Sequence, residues 1–433
     1  MNRFFIRGAA APFIRAAGAL FIRGAAAPFI RAAGAPFIRA AGALVIAAAA
    51  AAASAADAAA WRQADFAARL YSTAVSAAQA DENVVLSPWG VANLFALLQT
   101  GARGDTAKGM AFALQLGGAE PPGPDEVAAT FREARANLER AAREDVALEL
   151  SDSLWLAPGF AIAPEFAVRA RDGFGAGART TEMGAKGRKA INGFVSERTH
   201  GRIPTLLEPP LLDDPLTRLV AVDTVYLKAK WQSPFDSDAT CDRVFHAPGG
   251  DTVVPFLRAK RDAEILDAPE CAALRLPYRF GTSEMLVLLP SPSNTLADVE
   301  SRLGRPFLDR LAASPWRGKA AIAIPKFDFG SEHDLSKTLP SMGMGAAFDP
   351  ARADFGGIAP NLFIGAALQK ANVTVDEDGT TAAAATVAAI RCTALPPGLE
   401  KPPRPFVADR PFLFLVRETR TGLVLFLGRV CKP

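Results

Sequence analysis

Few side chains of this 433-residue chain have the types and spacing that catalysis or metal binding requires. The histidines are His200, His246 and His333, and the four cysteines are separated by 30, 121 and 39 positions. The sequence contains no Cys-x-x-Cys pair, no His-Glu-x-x-His helix, no Gly-Lys-Ser/Thr phosphate loop and no Gly-x-Ser-x-Gly elbow. We therefore predict no metal site, no cofactor and no enzymatic activity, and we expect the histidines on the surface or in satisfied hydrogen bonds.

The composition is that of a folded protein with a large core, since half of the residues are hydrophobic and 21% are charged. The net charge is +3, but the first fifty residues hold six arginines and no acid, so the remainder carries 42 − 45 = −3. A near-neutral body gives no electrostatic reason to expect nucleic acid as a partner. Outside the amino-terminal tract, no stretch reaches the ~20 apolar residues that a membrane span needs.

One segment, residues 376–390, has a pattern that ordinary core does not explain. Three acids are followed by Gly379 and eleven uncharged, mostly small residues, and then by the proline-rich run 391–405. One interpretation is an alanine-rich helix, since alanine is the best helix former. The other is a segment that can become a strand and enter a sheet without burying a charge, with Gly379 as a flexible hinge. The residues that would share its inner face are Thr380, Ala382, Ala384, Thr386, Ala388 and Ile390.

The elements around this segment indicate an α+β fold in one domain, residues 61–433. Apolar residues at helical spacing predict helices near 66–74, 91–98 and 191–195. Apolar runs with β-branched residues predict strands, which cluster in the second half of the chain and end in a hairpin. The predicted strands are 146–150, 219–231, 284–289, 320–324, 362–364, 371–375, 412–416 and 423–427.

Residues 375–386, Val-Asp-Glu-Asp-Gly-Thr-Thr-Ala-Ala-Ala-Ala-Thr, resemble the reactive-loop hinge of the serpin family. Further motifs resemble that family in the family's order, with wording similar to the plant type, and the likeness extends from about residue 60 to 433. They are NVVLSP (83–88), GARGDT (101–106), VYLKAKW (225–231), PKF (325–327), FVADRPFLF (406–414) and GRV (428–430).

The resemblance implies a serpin fold of three β-sheets and eight or nine helices with an exposed reactive-centre loop, about residues 377–405. It also implies a suicide-substrate inhibitor. A target protease of the serine or cysteine type cuts the loop and forms an acyl-enzyme, and the loop then inserts as a new strand of the central sheet. Serpin loop insertion is itself a standard example of such strand addition. We expect a monomer with a protease as its partner.

The family's spacing places the cut fourteen positions after the hinge glycine, between Thr393 and Ala394. An elastase-like protease would accept a small β-branched residue there. The chemical rival is the Arg391–Cys392 bond, because trypsin-like pockets bind a cation. Cutting there shortens the inserted arm by two residues, or about 7 Å.

The family has a polar cluster of two serines, an asparagine and a histidine where its central sheet opens. Ser87 matches the first serine, while Gly90, Asp223 and Gln369 stand at the other three positions. A buried aspartate is costly unless it is paired or protonated. These departures leave open a second interpretation, a serpin-fold protein that is a substrate, binder or relic and does not trap proteases. Two other positions of the opening region keep the family's residues, Trp231 and Glu377.

The leader, residues 1–60, is a separate unit in which Phe-Ile-Arg recurs five times with a period of eight residues. Eight helical residues turn through about 800°, so the repeats spiral and form no single apolar stripe. Its arginines and absence of acids in the first fifty residues are typical of targeting segments. The alternative is a duplicated low-complexity leader that folds into nothing. The localisation expected is therefore extracellular or cytosolic.

Overall fold

A computed structural model describes residues 63–117, 121–141, 146–214, 217–313, 315–380 and 402–433. Two sheets hold the described strands. The strands are β1 (Val84–Leu86), β2 (Val146–Leu156), β3 (Gly177–Thr180), β4 (Leu219–Lys230), β5 (Cys241–Ala247), β6 (Gly250–Asp267), β7 (Cys271–Pro277), β8 (Ser283–Pro290), β9 (Pro315–Pro325), β10 (Phe327–Asp334), β11 (Ala366–Val375), β12 (Gly379–Thr380), β13 (Arg404–Val407), β14 (Phe412–Glu418) and β15 (Val424–Val430).

The helices are α1 (63–77), α2 (Pro88–Gln99), α3 (Gly104–Ala113), α4 (Pro124–Ala141), α5 (Pro164–Phe174), α6 (Ala185–Arg198), α7 (Leu296–Glu300), α8 (Arg305–Ala313), α9 (Leu335–Leu339) and α10 (Gly345–Phe348). A π-helical turn, Pro340–Met344, connects the last two, with a kink at Gly343, where φ is 120°. If these two count as one, the described ranges contain nine helices, which agrees with the predicted number. Among these ranges, no helix has both the length and the apolar character needed to cross a membrane.

The smaller sheet has six strands in the order β10-β11-β12-β4-β2-β3. Its two faces are covered differently. On one face, α2 packs against a core that includes Leu154 and Leu156 of β2. On the other face, Ile191 and Val195 of α6 pack against Val220 in a second core. Both faces are therefore buried in the middle of the sheet, so any charged group there is removed from water.

The larger sheet has nine strands in the order β1-β15-β14-β8-β7-β6-β9-β13, with β5 added to β6. The eighteen-residue β6 pairs with β5 near its start and with β7 near its end. Three sheets were predicted, and two are observed. The continuous strand β6 is hydrogen-bonded to strands of the second and third predicted sheets, so these two are assigned as one sheet.

The predicted strands are confirmed except for 362–364, where the chain is irregular. Leu362 and Ile364 are both buried, so the apolar pattern identified core residues correctly. Their backbone takes no part in a sheet, and the Ile364 N–H donates to the Ala347 carbonyl instead, at 3.0 Å. Three residues are too few for periodicity to distinguish a strand from buried coil.

Candidate functional site

The six-stranded sheet is partly open between β11 and β4. Over five residue pairs, from Ala366–Val220 to Lys370–Thr224, the two strands pair directly and in parallel. We call this paired stretch the seam. Beyond it, the two-residue β12 lies between them, with Thr380 opposite Val375 on one side and Ala229 on the other. The sheet thus contains a gap whose first two positions are already filled by the chain that follows β11.

A tight turn, Asp376–Gly379, reverses the chain from β11 into β12; we call it the hinge turn. The Asp376 carboxylate accepts the N–H groups of Asp378 and Gly379 at 3.0 and 3.1 Å. The Asp376 N–H donates to the Gly379 carbonyl at 3.0 Å. Partial burial raises the pKa of Asp376, and the two backbone hydrogen bonds act against this rise. The acidic run noted in the sequence therefore has a local role, since its first member shapes the turn.

Glu377 fastens the hinge turn to the larger sheet. Its carboxylate accepts from the Lys326 ammonium at 2.7 Å and from the Thr240 hydroxyl at 2.8 Å, while its carbonyl accepts the Phe235 N–H at 2.8 Å. The Glu377 side chain is only 17% exposed. Burial acts to raise the pKa of Glu377, but the hydrogen bonds from Lys326 and Thr240 outweigh it and lower the pKa below its usual value. Glu377 is therefore a carboxylate at neutral pH.

Trp231 and Tyr278 form the floor under β12. Their rings stack with centroids 4.8 Å apart and an angle of 5° between the planes. The Trp231 indole N–H donates to the Asp376 carbonyl at 2.9 Å, and its backbone N–H donates to the Asp378 carbonyl at 2.8 Å. The Tyr278 hydroxyl shares a hydrogen bond of 2.7 Å with Thr380. These contacts hold Thr380 on the inner face, as the predicted alternation requires.

Gly379, which the sequence predicts to be a hinge, is buried in β12. A Cβ atom at this position would lie 2.0 Å from the Ala229 carbonyl oxygen. Glycine is needed here because β12 approaches the β4 backbone too closely for any side chain.

A polar cluster joins α2 to the seam. Ser87 caps α2, since its hydroxyl accepts the Gly90 N–H at 3.2 Å. The Gln369 amide of β11 accepts from the Ser87 N–H and donates to the Ser87 carbonyl, both at 2.9 Å. The same Gln369 nitrogen donates to Asp223 of β4 at 2.6 Å. Gln369 is thus the side chain that hydrogen-bonds across the seam.

Asp223 lies beside a second buried carboxyl, Asp152, in the adjacent strand β2. The two residues are direct register partners, and only 1% and 6% of their surfaces are exposed. Asn93 of α2 donates to Asp152. Burial raises the pKa of Asp223 to about 6, although the hydrogen bond from Gln369 acts to lower it. Burial and the nearby charge of Asp223 raise the pKa of Asp152 well above its usual value.

Gly90 provides the space that Asp223 occupies. A Cβ atom on Gly90 would lie 2.2 to 2.5 Å from the three atoms of the Asp223 carboxyl group. The two departures from the family pattern at these positions are therefore complementary. The absent side chain at residue 90 leaves room for the carboxyl at residue 223.

The structure brings the sequence-predicted residues together in two places. Trp231, Glu377, Gly379 and Thr380 meet at the hinge turn, and the other group meets at the seam: Ser87, Gly90, Asp223 and Gln369. The remaining predicted residues lie outside the described residues; these are Ala382, Ala384, Thr386, Ala388, Ile390, Arg391, Cys392, Thr393 and Ala394.

Sequence reasoning missed the partners that come from distant parts of the chain. Lys326, Thr240 and Tyr278 gave no local signal that they would meet the hinge turn. Asp152 did give one, because it lies within an apolar strand at the same parity as the buried Leu154. A lone acid on the inward face of a strand indicates a buried charge that needs a partner or a proton.

Comparison with known proteins places these features in a family context. The family model Serpin, described as serine protease inhibitor, matches residues 62–433. Glia-derived nexin of Mus musculus is 32% identical over 363 residues, which cover 81% of this chain and 88% of that protein. Leukocyte elastase inhibitor of Bos taurus is 31% identical over 387 residues, which cover 85% and 97%.

The fold is also found among solved structures. A structure described as a highly specific serpin of the insect Tenebrio molitor superposes with a TM-score of 0.75 at 27% identity. The match covers 86% of this chain and 97% of that one. The predicted α+β fold and its family are thereby confirmed.

The Gly90 geometry predicts a specific pair of mutational effects. Gly90→Ala should lower the free energy of unfolding by about 1–3 kcal/mol, because the new methyl group overlaps the Asp223 carboxyl. In the double variant Gly90→Ala/Asp223→Ala the carboxyl is absent, so its loss of stability should be smaller than the sum of the two single-variant losses. Urea unfolding of the four proteins measures this coupling. Gly193→Ala on α6 is the control, since its Cβ meets no atom within 4 Å and should leave stability equal or higher. Additive losses would contradict the proposed overlap.

The fastening of Glu377 predicts a second effect. Lys326→Met should lower the free energy of unfolding at pH 7 by about 1–2 kcal/mol, since a largely buried carboxylate loses a charged donor. Because the pKa of Glu377 is depressed, this contribution is present above the unfolded pKa of about 4.3 and is lost as pH falls through the folded value. The difference from wild type should therefore shrink between pH 5 and 3. Lys337→Met is the control, because the Lys337 side chain is 86% exposed and its ion pair contributes little.

Proposed function

Because this chain belongs to the serpin family of serine protease inhibitors, we propose that it traps a target protease by inserting its cut loop into the seam. The observation that carries this proposal is β12, which already separates β11 from β4 at one end of their pairing. The chain acts in this proposal as a suicide substrate and not as an enzyme. The partner in this proposal is a serine or cysteine protease. The inhibitor is a monomer and lies in the extracellular space or the cytosol.

The register of β12 defines where further insertion would lead. Gly379 faces Lys230 and Thr380 faces Ala229. Because the strands are antiparallel, the two residue numbers of each pair along β4 add to 609. Thr380 faces Val375, so the sum along β11 is 755. Without a register shift, residues 380–390 would cover β4 from residue 229 to residue 219. Insertion of this segment therefore matches the length of β4.

The same arithmetic gives Thr386 a defined position. Since 609 − 386 = 223 and 755 − 386 = 369, Thr386 would lie between Asp223 and Gln369, which now face each other across the seam. Its hydroxyl has the donor and acceptor needed to replace their direct hydrogen bond. A small polar residue at this one inner position, amid alanines, is consistent with insertion as far as the polar cluster.

The two described ends of the loop explain why cleavage would be required. At one end β12 is fixed in the six-stranded sheet, and at the other β13 pairs in parallel with β9 of the larger sheet. A chain anchored in two sheets cannot fill the gap along its whole length. Cutting releases one anchor. About ten newly paired residues at ~0.5–1.5 kcal/mol per net hydrogen bond then favour insertion.

We assign the reactive bond to Thr393–Ala394, with Arg391–Cys392 as the rival. Thr393 follows the last residue that β4 can pair by three positions, which leaves a short link to the bound protease. The similarity to a leukocyte elastase inhibitor supports a protease that prefers small residues. The second candidate function is that of a serpin-fold protein that is cleaved without trapping. The two buried carboxyls beside the seam favour it, because the family's polar cluster has no such acids there and burying them costs stability.

Trapping predicts a protease complex that survives denaturation. Incubation with a panel of elastase-like and trypsin-like proteases should give an SDS-resistant complex with an elastase-like member and release a carboxyl-terminal fragment that begins at Ala394. The melting temperature of the cleaved inhibitor should rise well above that of the intact chain. A fragment that begins at Cys392 would move the reactive bond to the rival position. Cleavage with no complex and an unchanged melting temperature would establish the non-trapping alternative.

The inner-face alternation predicts a contrast between neighbouring residues. Ala384→Arg would bring a guanidinium beside Ala371, which is 1% exposed, so insertion should fail and the variant should become a plain substrate. Ala383→Arg is the matched control, since its register partner Asn372 is partly exposed and insertion should survive. The fraction of inhibitor that ends in SDS-resistant complex should fall at least tenfold for the first variant only. Equal loss in both would refute the assigned register.

A further inference from the structure

We propose that Asp152 and Asp223 hold one proton between them, and that loss of this proton as pH rises loosens the seam between β4 and β11. The acid pair, as we call these two residues, would then act as a pH-sensitive lock on the sheet. Only one consequence of this proposal rests on the proposed function, namely that a looser seam accepts the cut loop more readily. The shared proton itself follows from the described contacts.

The first observation is the geometry of the acid pair. The two aspartates are register partners on β2 and β4 and project onto the face that α2 covers. One oxygen of each carboxyl accepts a hydrogen bond: Asp152 from the Asn93 amide and Asp223 from the Gln369 amide. The other oxygen of each, Oδ1, is buried without a hydrogen-bond partner among the described residues. Two buried acceptors without a donor, on side chains of register partners, are what a proton held between the carboxyls would satisfy.

The second observation concerns the surrounding charges. Helix α2 packs over the acid pair and contains no charged residue. Arg135 of α4 attracts Asp152 only at longer range and forms its own ion pair with Glu139 at 2.9 Å. His333 of β10 binds the Val85 carbonyl at 2.8 Å, and burial lowers the pKa of its imidazole, which is therefore neutral at pH 7. No described lysine or arginine side chain forms an ion pair with either member of the acid pair.

The remaining charged neighbours belong to β4 and β11 themselves. Lys370 follows Gln369, and its ammonium donates to the Thr205 carbonyl at 3.1 Å and lies 3.6 Å from Glu332. Lys228 and Lys230 lie toward the hinge-turn end of β4, five and seven residues from Asp223. Two adjacent carboxylates without a compensating cation repel each other in a low dielectric, so the pair retains a proton into a pH range where exposed aspartates have lost theirs.

The sign of the pH effect follows from these raised pKa values. In the unfolded chain both carboxyls ionise near pH 4, while the folded pair keeps a proton above that pH. The native state therefore binds more protons than the unfolded state, and stability falls as pH rises from about 4 through the folded pKa values. Below pH 4 the full contribution is present. This is the reverse of the usual behaviour of a salt-bridged aspartate.

The position of Asp223 links the proton to the seam. Asp223 accepts the Gln369 amide that spans β4 and β11, so it belongs to the boundary that must open. Separating the strands moves β11 away and admits water to the acid pair. Hydration stabilises two carboxylates far more than one, and the doubly ionised pair therefore favours the open form.

The first test is the pH dependence of unfolding in wild type, Asp223→Asn, Asp152→Asn and the double variant. Each asparagine keeps the shape of the side chain and removes the shared proton. Between pH 5 and 8 the wild-type unfolding constant should increase relative to the double variant, by up to about tenfold per pH unit where the pair titrates. Each single variant keeps one buried aspartate without a charged neighbour, so its pH dependence should lie at lower pH than that of wild type. His333 is common to all four proteins, so its titration cancels. Parallel pH profiles in wild type and the double variant would overturn the shared proton.

The second test measures the lock directly and needs no variant. Infrared spectra of the wild-type chain at pH 7 should show the C=O band of a protonated carboxyl, and this band should disappear at higher pH. Hydrogen exchange of the seam amides, 220–224 and 366–370, should accelerate over the same range, beyond the intrinsic pH effect on exchange seen for β14. A band without a matching change in the seam would overturn the link between the proton and the sheet. If both appear but no protease is trapped, the proposed function fails while the acid pair stands.

Discussion

The direct pairing of β11 with β4 over five residues is the constraint on which the other features of the site depend. These two strands separate beyond Lys370, and the chain that leaves β11 returns at once to fill the first two positions of the gap. The hinge turn is fastened at one end of the gap by Glu377 and Trp231. The Ser87–Gln369–Asp223 contacts close the other end. The sheet is thus held at both ends of a stretch that has room for one more strand.

In the proposed function, the free energy that drives insertion comes from strand pairs that the intact sheet has not formed. An inserted segment would pair on both sides along β4 and β11, whereas the seam provides one ladder of five residue pairs. In the proposed mechanism, connectivity prevents this gain in the intact chain, since β12 and β13 belong to different sheets. A covalent cut between them would therefore act on packing some distance away. No change in side-chain chemistry is needed for that effect.

The polar cluster shows how substitutions that look damaging singly are compatible as a set. A carboxyl at residue 223 would overlap any side chain at residue 90, and residue 90 is a glycine. Gln369 reaches both the Ser87 backbone and Asp223, so one amide serves two elements. The remaining free-energy cost comes from burying a second carboxyl, that of Asp152. Holding one proton reduces that cost to a single buried charge, at the expense of stability at higher pH.

The sequence by itself determined the family, most strands and the helical segments, because these depend on local periodicity and on ordered motifs. It also located the acidic turn and the small residues that follow. Only the tertiary structure decided that Gly379 serves close approach, that Gly90 makes room for Asp223, and that Lys326, Tyr278 and Asp152 complete the site. Those contacts join residues from separate strands and helices. Their distances are set by sheet register and helix packing, which no local pattern along the chain encodes.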